Sequence, residues 1–138
     1  MNLEENSIMI ENDEVKSGKS VFFDTYAFYE IIKENKNYLN YIDSIILTTK
    51  LNIFELYNRF LKINDLYLAN IAIDNYYPFA VDFNQDVIKE AAKFKILLNK
   101  RDVSMTDCIG YCLAKQLGIK FLTGDEQFEN MENVEYVK

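Results

Sequence analysis

Apolar residues along this chain fall into two kinds of pattern. Four short runs are continuous: "SVFFD" (20–24), "SIILTT" (44–49), "PFAVDF" (78–83) and "IKFLTGD" (119–125). Strands covered on both faces carry apolar side chains at successive positions, so each run predicts a buried strand. Elsewhere the apolar positions recur every three to four residues, which predicts helices at roughly 26–37, 51–62, 65–76, 85–99 and 105–117. Within 51–62, for example, Ile53, Leu56, Tyr57 and Phe60 share one face. A closing "NVEYVK" adds a candidate edge strand. Strands alternating with helices predict an α/β fold: a central, mostly parallel sheet of four to five strands with helices on both sides.

Length changes this picture little, since 138 residues make one ordinary domain. Residues 1–19 stand apart. "MNLEENSIMIENDEVKSGK" is acidic and polar around one apolar knot, Ile8-Met9-Ile10, and reads as an N-terminal arm ahead of a domain at 20–138. No stretch has the pattern of a signal peptide or the apolar length of a membrane span, so a soluble, cytoplasmic protein is expected.

Charge and the missing residue types narrow the chemistry. The formal net charge is −7, from 15 basic and 22 acidic residues, so a polyanion would need a local basic patch or bound cations to approach. There is no histidine. That removes imidazole acid–base catalysis, Ser-His-Asp and Cys-His arrangements, and histidine-ligated zinc. Cys108 and Cys112, four apart on one helix face, read as small buried residues rather than a metal or disulfide pair.

The remaining chemistry lies in carboxylates. In parallel α/β units, strand C-termini and the helix N-termini after them share the edge of the sheet where such folds bind ligands. Asp24 ends the first predicted strand and Asp125 ends the fourth. Glu55 follows the second strand in the first turns of its helix, and Asp107 opens the helix leading into the fourth. Each has an ordinary reading. Asp24 can cap a helix, Glu55 sits on a solvated face four residues before Arg59, Asp107 can form a capping box with Ser104, and Gly124-Asp125 is turn chemistry. None of these readings predicts that the four converge. Two carboxylates about 4 Å apart repel by roughly 4 kcal/mol at an effective dielectric near 20. Such a cluster protonates in part or holds cations, and oxygen-only ligands select Mg²⁺ or Mn²⁺.

The segments "VFFDTYAFYEII", "LTTKLNIFELYNRFL", "MTDCIGYCLAKQLG" and "FLTGDEQF" together resemble the PIN-domain ribonucleases, especially the VapC-like toxins of prokaryotic toxin–antitoxin pairs. The resemblance covers residues 20 to about 136 and is specific in its combination of acids and settings. It implies a three-layer, Rossmann-like PIN fold and divalent-metal-dependent cleavage of single-stranded RNA. Asp24, Glu55, Asp107 and Asp125 would be catalytic and metal-binding, with the Thr25 and Thr123 hydroxyls in support. It also implies a small antitoxin bound around 51–77, where "NDLYLANIAIDNYY" is rich in tyrosine and aliphatic residues, and a homodimer. Gln127 replaces a further acid that many relatives carry, so a second metal would be weakly held, and the 1–19 arm is longer than usual. Lys93, Lys95, Lys100 and Arg101 are the candidates for RNA phosphate contacts. The competing reading is a catalytically silent PIN-like scaffold that binds RNA or protein. A receiver-like phosphoacceptor domain fits poorly, because "FLTGD" has an acid where that fold needs a lysine.

Overall fold

The computed structural model describes residues 18–138, so the expected arm lies outside the described residues apart from Gly18 and Lys19. Four strands form the sheet: β1 (Ser20–Phe23), β2 (Ile45–Leu47), β3 (Lys120–Thr123) and β4 (Val134–Tyr136). Their order is β2-β1-β3-β4 and every pairing is parallel. Among the described residues five α-helices surround them: α1 (Thr25–Ile32), α2 (Lys50–Lys62), α3 (Leu66–Tyr76), α4 (Gln85–Leu97) and α5 (Met105–Leu117). The α/β architecture and the edge strand at 134–136 are as the pattern predicts.

Alternation along the strands creates the three layers. Phe22 and Phe121, paired in register and stacked at 5.6 Å between ring centroids, point to one side of the sheet. There they join Tyr111, Leu113 and Ala114 of α5 and Val87 and Ala91 of α4. Val21, Phe23 and Leu122 point to the other side and meet Phe28, Tyr38, Leu56, Phe60 and Ala69. Each fully buried side chain of this size contributes about 1.5–3 kcal/mol of transfer free energy. Gly110 lets α5 lie close on the sheet, because a Cβ there would come 2.8 Å from the Phe22 ring.

Three expectations need correction. The run at 78–83 is not a strand. Tyr77–Phe79 forms a 3-10 turn directly after α3, and only Ala80 bridges to Thr48, beside β2. Pro78 explains this: it has no N–H for a ladder, and its fixed φ suits the start of a helical turn. The helix expected over 26–37 is shorter, because Glu34 adopts a left-handed conformation (φ 61) and a separate 3-10 turn runs over Lys36–Tyr41. Asn35 caps that turn by accepting from the Asn37 N–H at 3.0 Å. Finally, β2 is an edge strand with Ile45 52% exposed, not a strand covered on both faces.

Strand order places the site. The chain leaves β1 for β2 on one side and later returns to β3 on the other. The C-terminal ends of β1 and β3 are therefore the point where the connections diverge, which leaves a crevice there. Among the described residues, no helix is long and apolar enough to cross a membrane.

Candidate active site

Asp24 follows β1 directly and is 3% exposed. One carboxylate oxygen caps α1 by accepting from the Thr25 N–H at 2.8 Å, and the other accepts from the Thr123 hydroxyl at 2.8 Å. Among the described residues no lysine or arginine forms an ion pair with it. Burial raises its pKa well above the ordinary carboxylate value, and the nearby Asp107 and Glu55 raise it further. The hydrogen bonds from Thr123 and Thr25 pull against that shift.

Thr123 links two of the acids. Its hydroxyl donates to Asp24 and accepts the backbone N–H of Asp125 at 3.1 Å. Asp125 in turn accepts the Gln127 N–H at 3.0 Å and caps the 3-10 turn Glu126–Phe128. Gly124 between them is required by space, since a Cβ would overlap the Tyr26 ring and lie 2.5 Å from the Val137 carbonyl oxygen. Turn chemistry and a place in the crevice thus coexist at Asp125.

Glu55 is held through a chain of buried groups that begins at the cap of α2. Thr49 accepts the Asn52 N–H at 3.3 Å, and its hydroxyl donates to the Asn52 side-chain oxygen at 2.6 Å. The Asn52 amide donates to the Thr25 hydroxyl at 3.2 Å, which donates to Glu55 Oε2 at 3.0 Å. The side-chain donors in this chain run from Thr49 through Asn52 and Thr25 to the carboxylate, so the network orients Glu55 as an acceptor. Thr49 and Asn52 are fully buried. The expected surface pair between Glu55 and Arg59 does not form: the Arg59 guanidinium lies 3.5 Å from the centroid of the Tyr29 ring. Asp107 is both a helix cap and a member of the site. It accepts the Ser104 N–H at 3.0 Å while Ser104 accepts the Asp107 N–H at 3.1 Å. Burial raises its pKa, with Glu55 and Asp125 adding to the shift and the Ser104 bonds opposing it.

The structure brings all four sequence-predicted acids to one cleft of about 510 Å³, whose walls also carry Thr25, Tyr26, Phe54, Asn58, Arg59 and Lys62. Among the described residues no three acid or thiol side chains already stand as a closed ligand set. The carboxylates line the cleft rather than meet at a point. A desolvated carboxylate without a cationic partner, facing further carboxylates, nevertheless fits a hard divalent cation. A larger hollow of about 730 Å³ between α4 and α5 contains none of the four acids and is walled by Phe94, Leu97, Tyr111 and Met131. Its ionisable lining, Glu90, Lys93, Lys115 and Glu132, mixes both signs, with Lys93 paired to Glu90 and Lys115 to Glu132, so the unpaired carboxylate cluster belongs to the smaller cleft.

The family profile described as "PIN domain" matches residues 21–134, which include all four acids. The chain belongs to the PIN domain family. Its fold is also similar to that of two solved structures. A toxin–antitoxin complex from Klebsiella pneumoniae matches with TM-score 0.61 and 13% identity, over 83% of this chain and 95% of that one. VapBC2 from Rickettsia felis, solved bound to a DNA fragment from its promoter, matches with TM-score 0.68 and 15% identity, over 86% and 99%. No curated protein matches the sequence significantly.

In this PIN domain the four candidate phosphate contacts lie off the cleft lining. Lys93 pairs with Glu90, Lys95 donates to the Val103 carbonyl at 2.8 Å, and Lys100 is exposed. Arg101 donates to the Gln127 carbonyl at 2.9 Å, behind the turn that carries Asp125. The cleft's own cations are Arg59 and Lys62. Their spacing from Glu55, at i+4 and i+7, is the signal that could have found them. Thr49 and Asn52 were missed too, although a Thr-x-x-Asn start to a helix advertises side chains bonded across its first turn.

Proposed function

We propose that this PIN domain is a divalent-metal-dependent endoribonuclease acting on single-stranded RNA, and the toxin of a toxin–antitoxin pair. The observation that carries the reading is Asp24. A carboxylate this deeply buried, with hydrogen bonds at both oxygens and no cation among the described residues, faces three further acids across an open cleft. Asp24, Asp107, Asp125 and Glu55 would hold the ion, Mg²⁺ or Mn²⁺. A bound ion supplies Lewis-acid polarisation and neutralises charge developing on a phosphodiester.

The chain's own residues do the positioning. Thr123 fixes the rotamer of Asp24 and, through the backbone of Asp125, ties together the ends of β1 and β3. Thr25 and Asn52 fix Glu55 through Oε2. That leaves Oε1 to bind a ligand in the cleft that Glu55 lines, or to accept a proton from an attacking water. With no histidine in the sequence, proton transfer falls to carboxylates and water.

The partner half of the proposal draws on the two neighbours that are toxin–antitoxin complexes and on an apolar surface of this chain. Leu61, Ile63, Leu66 and Tyr67, at the α2–α3 junction, are all exposed, and they lie within the 51–77 segment proposed for the antitoxin. Incubation of assorted RNAs with the protein in Mn²⁺, Mg²⁺ or EDTA tests the enzyme half. Cleavage in the metals and none in EDTA is expected. Undiminished cleavage in EDTA overturns the metal site, and no cleavage under any condition favours the silent scaffold.

A further inference from the structure

We propose that the α2 wall of the cleft is a track for single-stranded nucleic acid, with Phe54 as the surface on which a base stacks and Arg59 and Lys62 as the groups that hold phosphates. The proposal rests on the nuclease reading for where the strand is cut, and on the wall itself for how it is bound.

Phe54 is 70% exposed although its neighbour Ile53 is buried, and it lines the cleft beside Glu55. A phenylalanine in that position joins neither core and presents an open π-face next to carboxylates. Helical spacing sets Phe54, Asn58 and Lys62 in one row and Glu55, Arg59 and Lys62 in the row beside it. Over about two turns, on the order of 12 Å, the wall changes from acidic to basic.

The cations are available. Arg59 is not engaged by Glu55 but lies on the Tyr29 ring, and neither Arg59 nor Lys62 forms an ion pair among the described residues. Stacking through one face pre-orients a guanidinium and leaves its N–H edge for an anion. Cations in the last turn of a helix also complement its dipole, but that does not account for an exposed aromatic at the other end. In a chain of net charge −7, unpaired cations at the mouth of an acidic cleft give a polyanion a local place to bind. An aromatic platform in series with cations suits an unpaired strand, because a duplex offers Phe54 no free base face.

Fluorescence anisotropy with a labelled, unstructured oligoribonucleotide tests this. The Asp24→Asn protein keeps the probe intact, and the wild-type chain in EDTA serves as a second background. Phe54→Ala should weaken binding roughly 5- to 150-fold, the range for loss of one base–aromatic stack, and Phe54→Trp should retain it. Arg59→Gln and Lys62→Gln should each lower the slope of log affinity against log salt by about 0.7. Unchanged affinity in Phe54→Ala overturns the track, as does an equal loss for the same sequence presented as a duplex. If Phe54→Ala instead abolishes capture of a co-expressed small protein while RNA affinity stays intact, the wall is a protein-docking surface and the track is overturned. Phe54-dependent binding by a wild-type protein that cleaves nothing in Mn²⁺ supports the track and removes only the nuclease reading.

Discussion

Asp24 and Asp107 each serve as a helix cap and as part of the acid cleft, and their two roles respond differently to substitution. As caps they need only an oxygen that accepts an N–H, which asparagine also supplies. As neighbouring carboxylates they destabilise the metal-free fold, since the unfolded chain keeps them apart. Asp107→Asn should therefore raise the melting temperature without metal while blunting the rise that Mn²⁺ produces. An ion bound only by the native state stabilises it by about 2.7 kcal/mol at a hundredfold excess over Kd, a shift of roughly 7–11 °C here. Calorimetry of both proteins at constant ionic strength checks this, and a lower metal-free melting temperature with an intact metal response would leave Asp107 a cap alone. The pH dependence has a definite sign. Folded Asp24 and Asp107 have raised pKa values, so between the ordinary carboxylate value and the raised one the native state binds more protons than the unfolded chain. Their contribution to metal-free stability is present at the acidic end of that window and is lost as pH rises through the folded values. Glu135, held low by Lys19 and Tyr41 against burial, contributes in the opposite sense. Melting curves of wild type and Asp107→Asn across this window should converge at its acidic end and separate above it. At this scale the positions of Asp24, Asp107 and Asp125 were readable from strand ends and helix starts. The setting of Glu55 was not, because periodicity places it with Arg59 on a solvated face. Only the fold shows that Arg59 turns to Tyr29 and that Thr25 reaches Glu55.

The start of α2 is the element on which the site most depends. Thr49, Asn52 and Thr25 are linked by buried hydrogen bonds that end on Glu55, so removing the middle side chain takes one hydrogen-bond partner from each of the two hydroxyls. Asn52→Ala should cost about 1–3 kcal/mol of stability and should lower turnover further by releasing Glu55. Urea unfolding and single-turnover rates separate the two effects, and a stable variant with full activity would show the network to be incidental. The packing of α5 on the sheet makes a second prediction. A methyl group at Gly110 would meet Phe22 and Phe121 at 2.8–3.2 Å, so Gly110→Ala should lose roughly 1–3 kcal/mol in urea unfolding with metal affinity little changed. Elements whose pattern was unambiguous formed where the apolar period put them. The run at 78–83 failed as a strand for a reason visible in its first residue, Pro78, which starts a 3-10 turn across which the tilted Tyr76 and Phe79 rings lie 6.4 Å apart. The early end of α1, where Glu34 turns left-handed ahead of the Lys36–Tyr41 turn, had no comparable signal in the apolar pattern.

Across the whole molecule, the parallel order β2-β1-β3-β4 gathers acids from residues 24, 55, 107 and 125 at one edge of the sheet. On the proposed reading, the overall acidity would repel polyanions generally while the rim cations Arg59 and Lys62 would admit one at the cleft. A small partner bound across the α2–α3 surface would cover this approach and should suppress activity. Co-expression with neighbouring reading frames followed by pull-down checks that prediction, and a free protein that is harmless when overexpressed would withdraw the toxin assignment. The central claim is that the cleft hydrolyses RNA through Asp24 and its companions, and its most direct measurement is a single-turnover comparison of wild type with Asp24→Asn on one unstructured RNA in Mn²⁺. The wild type should cleave, and the variant, shown to be folded by its melting curve, should fall to the rate seen without protein. Equal rates in the two proteins would contradict the account.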